Sequence, residues 1–152
     1  FRYAMEILDS SRIVIAAQCV GIGQAALEAA ARYAQQRHSF GQPIAGHQGI
    51  QFMLADMATE VYASRVATMQ AATLKDNDLP FIDEASMAKL MASEMAVRVS
   101  SNALQIHGGY GYFKDAPVER YFRDARVTTI YEGTSEVQRL IIARQLLAKY
   151  PV

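Results

Sequence analysis

Hydrophobic residues recur at spacings of three and four in four long segments of the chain, which predicts four amphipathic helices. The second segment carries this pattern at Ile50, Met53, Leu54, Met57 and Val61. The third carries it at Met87, Met91, Met95, Val99, Asn102 and Ile106. The fourth, residues 135–149, carries it at Val137, Leu140, Ile141 and Leu147. We expect these stripes to face the core. The first segment, about residues 10–37, is apolar nearly all round, which is typical of a central helix or of one shared with another chain or domain.

Short polar or glycine-containing segments separate the predicted helices. Residues 38–43 and 76–80 interrupt the first two, and a glycine pair after His107 ends the third, where glycine is favoured. We predict a short extra helix over residues 117–125. Strand signals are scarce, and residues 125–131 are the single plausible extended segment.

Four long helical segments with short connections predict an all-α fold, an antiparallel up-and-down four-helix bundle. Composition favours the same class, because the 152 residues include 25 alanines and only 4 prolines. Ser135 and Gln138 have the spacing of a capping box at the start of the last helix. We interpret the methionine stripe of the third helix as core filling rather than as a cofactor site.

The charge balance excludes several classes of partner. Fifteen basic and 15 acidic residues leave a net charge of zero, and without a basic cluster the chain is unlike a protein that binds nucleic acid or anionic lipid. A content of 51% hydrophobic and 20% charged residues excludes disorder. The single cysteine, Cys19, excludes an intramolecular disulfide and a cysteine-based zinc site, and it favours a reducing compartment.

No membrane helix and no leader peptide are predicted. The longest purely apolar run near the N terminus is residues 13–17, far short of the roughly 20 residues that a membrane helix needs. Gln18, Gln24 and Glu28 interrupt the apolar residues beyond this run. The chain starts at Phe1 without a cationic leader. We therefore expect a fragment or a processed product.

Two patterns that often carry chemistry are interpreted structurally. Residues 21–26 match the dinucleotide-binding pattern G-x-G-x-x-A, but no turn signal precedes the glycines and no strands remain for a parallel sheet. We interpret these glycines as small residues where a long helix packs closely on a neighbour. His38, His47 and His107 lie far apart without ligand spacing, so no metal site is predicted.

Glu132 is the main candidate for catalysis. It stands beside Ile130 and Tyr131, just before a capped helix. A partly buried carboxylate with no adjacent cation can act as a general base. The alternative at this stage is a solvated loop glutamate.

Three other stretches offer binding chemistry. Arg37, with Phe40 and Gly41, places a cation at a helix end, where it either complements the helix dipole or holds a phosphate. Residues 9–12, at the start of the first predicted helix, allow the same two interpretations: an effect on the helix dipole or the binding of a phosphate. Residues 105–109 end in a glycine pair, where backbone can pass close to a flat or phosphorylated ligand.

Taken together, three motifs resemble the C-terminal domain of the acyl-CoA dehydrogenases. The longest is R-D-A-R at residues 123–126, followed by I-Y-E-G-T-S-E-V-Q-R-L at residues 130–140. The others are R-H-S-F-G at residues 37–41 and Q-I-H-G-G at residues 105–109. The match runs in order from one end of the chain to the other. We therefore expect residues 1–152 to be the C-terminal helical-bundle domain, with the family's N-terminal helical and middle β domains absent.

The resemblance implies FAD-dependent α,β-dehydrogenation of an acyl-CoA thioester to the enoyl-CoA, a step of fatty acid β-oxidation. Glu132 would remove the α-proton while the β-hydrogen leaves as hydride to the flavin, and the backbone N–H of Glu132 would polarise the thioester carbonyl. The positions that match the family's substrate-binding residues are Asp9, Ser10, Ser11, Arg12 and Gly133. The positions that match its FAD contacts are Arg37, Phe40, Gln48, Gln105, Ile106, His107, Gly108, Gly109, Thr134, Ser135 and Glu136.

Further features of the resemblance narrow the subfamily and the partners. Isovaleryl-type members lack an acidic residue at the position of Glu132, and residues 71–77 and 84–89 look most like short-chain, butyryl-CoA-type members. His107 stands where many relatives have leucine, which we interpret as neutral.

Residues 105–109 match a strip that reaches the FAD of a neighbouring subunit. The implied partners are an acyl-CoA, an electron-transferring flavoprotein as electron acceptor, and further copies in a homotetramer, with no nucleic acid and no membrane insertion. The implied location is the cytoplasm of a bacterium or the mitochondrial matrix of a eukaryote.

Two alternatives stay open. The isolated chain, without most of a flavin site, would act only as an assembly module that has neither flavin nor catalysis, and we favour this for the 152 residues alone. The other is a related acyl-CoA oxidase on the same fold, in which the reduced flavin reacts with oxygen.

Overall fold

The computed structural model describes the backbone of residues 2–151 and the side chains of residues 7–151, so Phe1 and Val152 lie outside the described residues. The helices in this range are α1 (Arg2–Gln36), α2 (Gln48–Asp76), α3 (Ile82–His107), α4 (Val118–Thr128) and α5 (Ser135–Lys149). The strands β1 (His38–Ser39) and β2 (Gln42–Pro43) form a small antiparallel hairpin. Short 3₁₀ helices cover Ile44–Gly46 and Gly108–Tyr112. The predicted all-α class and the short extra helix after residue 117 are confirmed.

Helix α3 is the centre of the structure, because it packs against α1, α2, α4 and α5. Helices α1 and α3 both bury faces that are rich in alanine, and these alanines have no exposed surface. They are Ala16, Ala26, Ala30 and Ala34 of α1, and Ala85, Ala88, Ala92, Ala96 and Ala103 of α3. Small side chains on facing helices let the two backbones approach closely. The alanine content therefore serves packing as well as helix propensity.

Gly23 lies in the middle of α1 at a point where three helices converge. A Cβ atom at this position would lie 2.6 Å from Sδ of Met95 and 3.3 Å from Cγ2 of Val61. At Gly21, the first glycine of the same motif, a Cβ would meet no atom within 4 Å. The interpretation of the G-x-G-x-x-A pattern as close helix packing is confirmed at Gly23 but not at Gly21, which is exposed.

The apolar character of α1 is also high enough to satisfy a membrane criterion. By length and composition alone, Ile7–Gln36 could cross a membrane. Core helices meet the same criterion, and α1 contacts α2, α3 and α4. Packing against these helices accounts for the buried apolar residues of α1, whereas Ile7 and Val14 remain exposed.

Two local predictions near the last helix were wrong. Residues 125–131 are not extended, since α4 continues to Thr128 and a turn comes after it. The N-cap of α5 is Thr134 rather than Ser135, because the Thr134 hydroxyl accepts a hydrogen bond from the N–H of Val137 at 3.3 Å. Ser135 is instead the first residue of the helix and is buried.

Helix α5 turns a different face to the core than its apolar pattern predicted. Gln138 is fully buried, whereas Leu140 and Leu147 are 67% and 70% exposed. At about 100° per residue, these leucines lie about 200° and 180° around the helix from Gln138. The burial of one polar side chain therefore sets the rotation of the helix and turns its leucines outward.

The methionine stripe of α3 is only partly in the core. Met95 is fully buried, but Met87 and Met91 are nearly half exposed. Residues spaced four apart drift by about 40° per step around an α-helix. The stripe therefore leaves the alanine-rich face towards the start of α3, and the prediction of core filling holds at Met95 but not at the other two methionines.

Candidate functional site

A left-handed turn between α4 and α5 presents Glu132. Glu132 and Gly133 both have positive φ, 54° and 87°, a region that glycine adopts readily and glutamate does not. The turn is held from both sides: the N–H of Tyr131 donates to the carbonyl of Val127 at 3.2 Å, and that of Ser135 to Thr129 at 3.0 Å. Backbone strain of this kind persists where the surroundings determine it, and it clusters at functional sites.

The carboxylate of Glu132 meets the first part of α1. The Ser11 hydroxyl donates a hydrogen bond to Oε2 of Glu132 at 2.5 Å, and the glutamate is half-buried. Next to it, the Tyr131 hydroxyl donates to Oε1 of Gln18 at 2.7 Å, and burial raises the pKa of Tyr131. The backbone N–H of Glu132 has no acceptor among the described residues. A fixed carboxylate and a free N–H therefore lie at one point of the backbone.

The predicted substrate-binding stretch lies beside this turn on α1. Arg12 is almost fully buried, and its Nη1 contacts Oδ1 of Asp9 at 2.6 Å. The same nitrogen lies 3.5 Å from Oγ of Ser86 on α3. Ser10 is half-buried between them and Ser11. The structure thus brings residues 9–12, Glu132 and Gly133 together.

Two buried side chains that the sequence analysis did not assign to the site hold the backbone of the same turn. Nζ of Lys89 donates to the carbonyl of Gly133 at 2.8 Å. Nε2 of Gln138 donates to the carbonyls of Glu132 and Gly133 at 3.3 and 3.1 Å. Both side chains are fully buried. A buried cation thus lies against the backbone of the residue that follows Glu132.

A signal for Lys89 was present in the sequence. Ala85, Lys89, Ala92 and Ala96 succeed one another at spacings of three and four, so the lysine falls on the alanine-rich buried face of α3. Burial lowers the pKa of Lys89 and raises that of the neighbouring Cys19 thiol, with weaker opposing attraction between the two groups. The feature of the sequence that indicates Lys89 is therefore a lysine at a position where helical spacing predicts burial.

A cavity of about 260 Å³ lies at the start of α5. Its lining residues are Glu94, Val97, Arg126, Thr129, Ile130, Thr134, Ser135 and Glu136. The hydroxyl of Ser135 is buried without a partner among the described residues, and the Arg126 guanidinium donates to the hydroxyl of Thr129. Hydrogen bonds from its own backbone N–H and from the Thr134 hydroxyl lower the pKa of Glu136. Three predicted cofactor residues, at positions 134–136, thus share one wall.

A larger cleft of about 570 Å³ opens beyond the C-terminal end of α1. Its lining residues are Tyr33, Arg37, Ser39, Ile44, Ile106, His107, Gly108, Gly109, Tyr110 and Phe113. The rings of Tyr33 and His107 stack with centroids 4.2 Å apart, and the Arg37 guanidinium lies 5.6 Å from the Tyr110 ring centroid. Five predicted cofactor residues, Arg37 and residues 106–109, come together here.

The other three predicted cofactor residues line neither cavity. Phe40 is 95% exposed and stands edge-on to His47, with ring centroids 6.1 Å apart. Gln48 and Gln105 are also exposed. Their assignment to a cofactor remains a prediction.

The chemistry of the two cavities fits parts of FAD. The larger cleft combines stacked aromatic rings with a cation, which suits a flat ring system bearing phosphate. The smaller one combines a helix N terminus, Arg126 and the unpartnered hydroxyl of Ser135, which suits hydrogen bonding to an anionic or polar group. No cluster of three metal-ligating side chains occurs in the part of the chain that the structure describes.

Comparison with known proteins agrees with these features. Residues 1–147 match the family described as acyl-CoA dehydrogenase, C-terminal domain. The chain is 55% identical over 150 residues to the mitochondrial short-chain specific acyl-CoA dehydrogenase of Rattus norvegicus, a match that covers 99% of this chain and 36% of that protein.

Solved structures give the same result. Butyryl-CoA dehydrogenase from Megasphaera elsdenii superposes with a TM-score of 0.96 at 47% identity, covering 97% of this chain and 38% of that one. A chain of a structure described as the electron transferring flavoprotein of Acidaminococcus fermentans has the same TM-score of 0.96 at 49% identity, with 97% and 39% covered. The chain therefore spans well under half the length of the relatives that it matches.

Proposed function

Since the chain belongs to the acyl-CoA dehydrogenase family, we propose that it is the C-terminal domain of a short-chain, FAD-dependent acyl-CoA dehydrogenase and that it supplies the catalytic base. The observation that carries this proposal is the presentation of Glu132 on a left-handed turn, with its carboxylate held by Ser11 at 2.5 Å. A solvated loop glutamate would not have its carboxylate held by a side chain from a helix 121 positions away in the chain.

Different groups at the turn have different roles in proton abstraction. The Ser11 hydroxyl holds Oε2 of Glu132, which leaves Oε1 to take the proton from the α-carbon of the thioester. The backbone N–H of Glu132 donates to the thioester carbonyl oxygen, where negative charge develops as the proton leaves. FAD, when bound, accepts the β-hydrogen as hydride. Asp9, Ser10, Arg12 and Gly133 are the proposed substrate-binding residues near the same turn.

The two cavities hold different portions of the cofactor in this proposal. Arg126 and residues 134–136 hold the FAD that serves Glu132. The larger cleft, with Arg37 and residues 106–109, holds part of the FAD of a neighbouring copy. The exposed apolar residues Tyr62, Val66 and Met69, at helical spacing on α2, support an oligomer, because such stripes usually mark an interface.

The proposed substrate is a short-chain acyl-CoA, and the proposed electron acceptor is an electron-transferring flavoprotein. The short-chain specific relative and the likeness to butyryl-CoA dehydrogenase support the chain length, and the likeness to a chain of the electron transferring flavoprotein structure supports the acceptor. The matching relatives come from mitochondria and from bacteria, which supports a mitochondrial or a bacterial cytoplasmic location.

The test replaces the base in the full-length enzyme that this proposal implies. Glu132→Gln keeps the shape of the side chain and removes its basicity, so turnover of butyryl-CoA should fall by about 10²–10⁴-fold. Flavin absorbance of the purified variant should stay at one FAD per chain. Glu28→Gln, an exposed change on α1, is the matched control and should leave turnover unaltered. Near-normal turnover of Glu132→Gln would refute the assignment of the base.

An assembly role for the isolated chain is the second candidate, supported by its exposed apolar stripe. The purified 152-residue chain should then be colourless and oligomeric by sedimentation. A flavin absorbance spectrum would refute this role. In the full-length enzyme, oxygen consumption without an added acceptor would identify an oxidase instead.

A further inference from the structure

The Lys89 side chain crosses the core of the bundle to reach the catalytic turn. It is fully buried, and Nζ donates to the carbonyl oxygen of Gly133 at 2.8 Å. No carboxylate forms an ion pair with it among the described side chains. Burying an ammonium group without a paired anion is costly, because no ion pair repays its loss of hydration. Stability alone therefore does not account for a lysine at this position.

The hydrogen bond acts on the part of the backbone whose conformation is unfavourable. Glu132 and Gly133 both have positive φ, a conformation that is unfavourable for a residue other than glycine. The Gly133 carbonyl accepts from two sides, from Lys89 on α3 and from Gln138 on α5. Two donors from different helices fix the direction of that carbonyl, and with it the orientation of the peptide groups on either side of Gly133.

We propose that Lys89 is a positioning residue for the acyl-CoA dehydrogenation, which holds the Gly133 carbonyl so that the Glu132 carboxylate and N–H point at the substrate together. This inference rests on the proposed function of Glu132. Lys89 touches neither the substrate nor the carboxyl group that takes the proton. Its action passes through the backbone of Gly133.

A lysine that only stabilises the fold and a lysine that positions the turn predict different effects of Lys89→Met on stability and on kcat. Methionine has almost the same length and shape but no charge, and replacing a buried charge by an apolar group of similar volume is often neutral or stabilising. Gln138 still satisfies the Gly133 carbonyl after the exchange. Lys89→Met should therefore fold, keep its FAD and lose the orientation of the turn.

The experiment compares the wild-type full-length holoenzyme with Lys89→Met. We expect an unchanged melting temperature within a few degrees, unchanged FAD content and a KM for butyryl-CoA within twofold. The kcat should fall about 10–100-fold, because a base displaced by about 1 Å can lose 10²-fold in rate. The kinetic isotope effect with butyryl-CoA deuterated at the α-carbon should rise, since proton abstraction becomes more rate-limiting. Lys75→Met, an exposed exchange at the end of α2, should match the wild type in every measurement.

Two results would overturn the proposal. One is a kcat and an isotope effect equal to those of the wild type. The other is a loss of kcat that only accompanies a loss of FAD or of folded protein. If Lys89→Met does not accumulate as folded holoenzyme, Lys89→Gln is judged by the same criteria. Failure of the proposed function is recognised separately, because the wild type would then not oxidise butyryl-CoA or Glu132→Gln would remain active.

Discussion

Ser11 and Glu132 are joined by a hydrogen bond of 2.5 Å although they stand 121 positions apart in the chain. The donor lies on α1 and the acceptor on the turn before α5. The carboxylate is therefore correctly placed only when α1, α3 and the turn have packed together. The geometry of the proposed base and the packing of these helices depend on the same contacts.

Removal of this hydrogen bond should slow the reaction without abolishing it. A hydrogen bond to a charged group contributes about 1.5–3 kcal/mol, so we expect Ser11→Ala to lower kcat/KM for butyryl-CoA by about 10–150-fold. Ser11→Thr keeps the hydroxyl and should restore most of the loss. Steady-state turnover with FAD content as the reference decides the matter, and equal rates for Ser11→Ala and the wild type would contradict it.

Two glycines of α1 should respond to alanine in opposite ways. Gly23→Ala forces a Cβ against Met95, and such overpacking costs about 1–3 kcal/mol. Gly21→Ala meets open space and should stabilise the helix by about 0.5–1 kcal/mol. Urea unfolding of both variants measures the difference. A Gly23→Ala protein as stable as Gly21→Ala would show that the helices do not converge at this point.

Gly133 is a position at which alanine should damage both the fold and the reaction. A Cβ there would lie 2.6 Å from Nε2 of Gln138, and the backbone has φ of 87°. The left-handed conformation alone costs about 1–2 kcal/mol for a residue with a Cβ. We expect Gly133→Ala to lower the melting temperature and to reduce kcat more than KM is changed. Gly49→Ala, which meets open space at the start of α2, is the control and should do neither.

The buried thiol of Cys19 predicts a loss of stability in alkaline solution. Burial raises the pKa of this thiol above its ordinary value of 9.0. In the unfolded chain the thiol ionises near that value, while in the folded protein it stays protonated to higher pH. Its contribution is therefore complete below about pH 9 and declines as pH rises through the folded-state pKa.

Unfolding by urea at several pH values checks this sign. The free energy of unfolding of the wild type, minus that of Cys19→Ala, should be constant up to about pH 8.5 and fall above pH 9. Curves for the two proteins that remain parallel across this range would show that Cys19 does not ionise differently in the folded and unfolded states.

The sequence predicted the helices well because their apolar periodicity is long and their ends carry glycine and proline. It failed where a polar residue decides the packing. Gln138 is buried under the catalytic turn and rotates α5, so Leu140 and Leu147 face outward against their pattern. That burial depends on a contact with the carbonyls of residues 132 and 133, which no local periodicity reveals.

The candidate site was also predicted only in part from the sequence. Motifs predicted the residues of the candidate site, and the structure groups most of them around one turn and two cavities. Lys89 was missed because its role lies in a long-range bond to Gly133 rather than in a motif. The stacking of the His107 ring on Tyr33, which forms part of a cleft wall, likewise depends on residues far apart in the chain.

Helix α1 is 35 residues long, and its length fixes the distance between Ser11, next to the Glu132 turn, and Arg37, at the larger cleft. Ser11 and Arg37 are separated by about 39 Å along its axis at 1.5 Å per residue. One inserted residue between them would shift one end by only about 1.5 Å, but it would rotate that end by about 100°. Ser11 would then face away from Glu132 while Arg37 kept its cleft. We expect the protein to tolerate substitutions at many positions between Ser11 and Arg37 but an inserted residue at none of them.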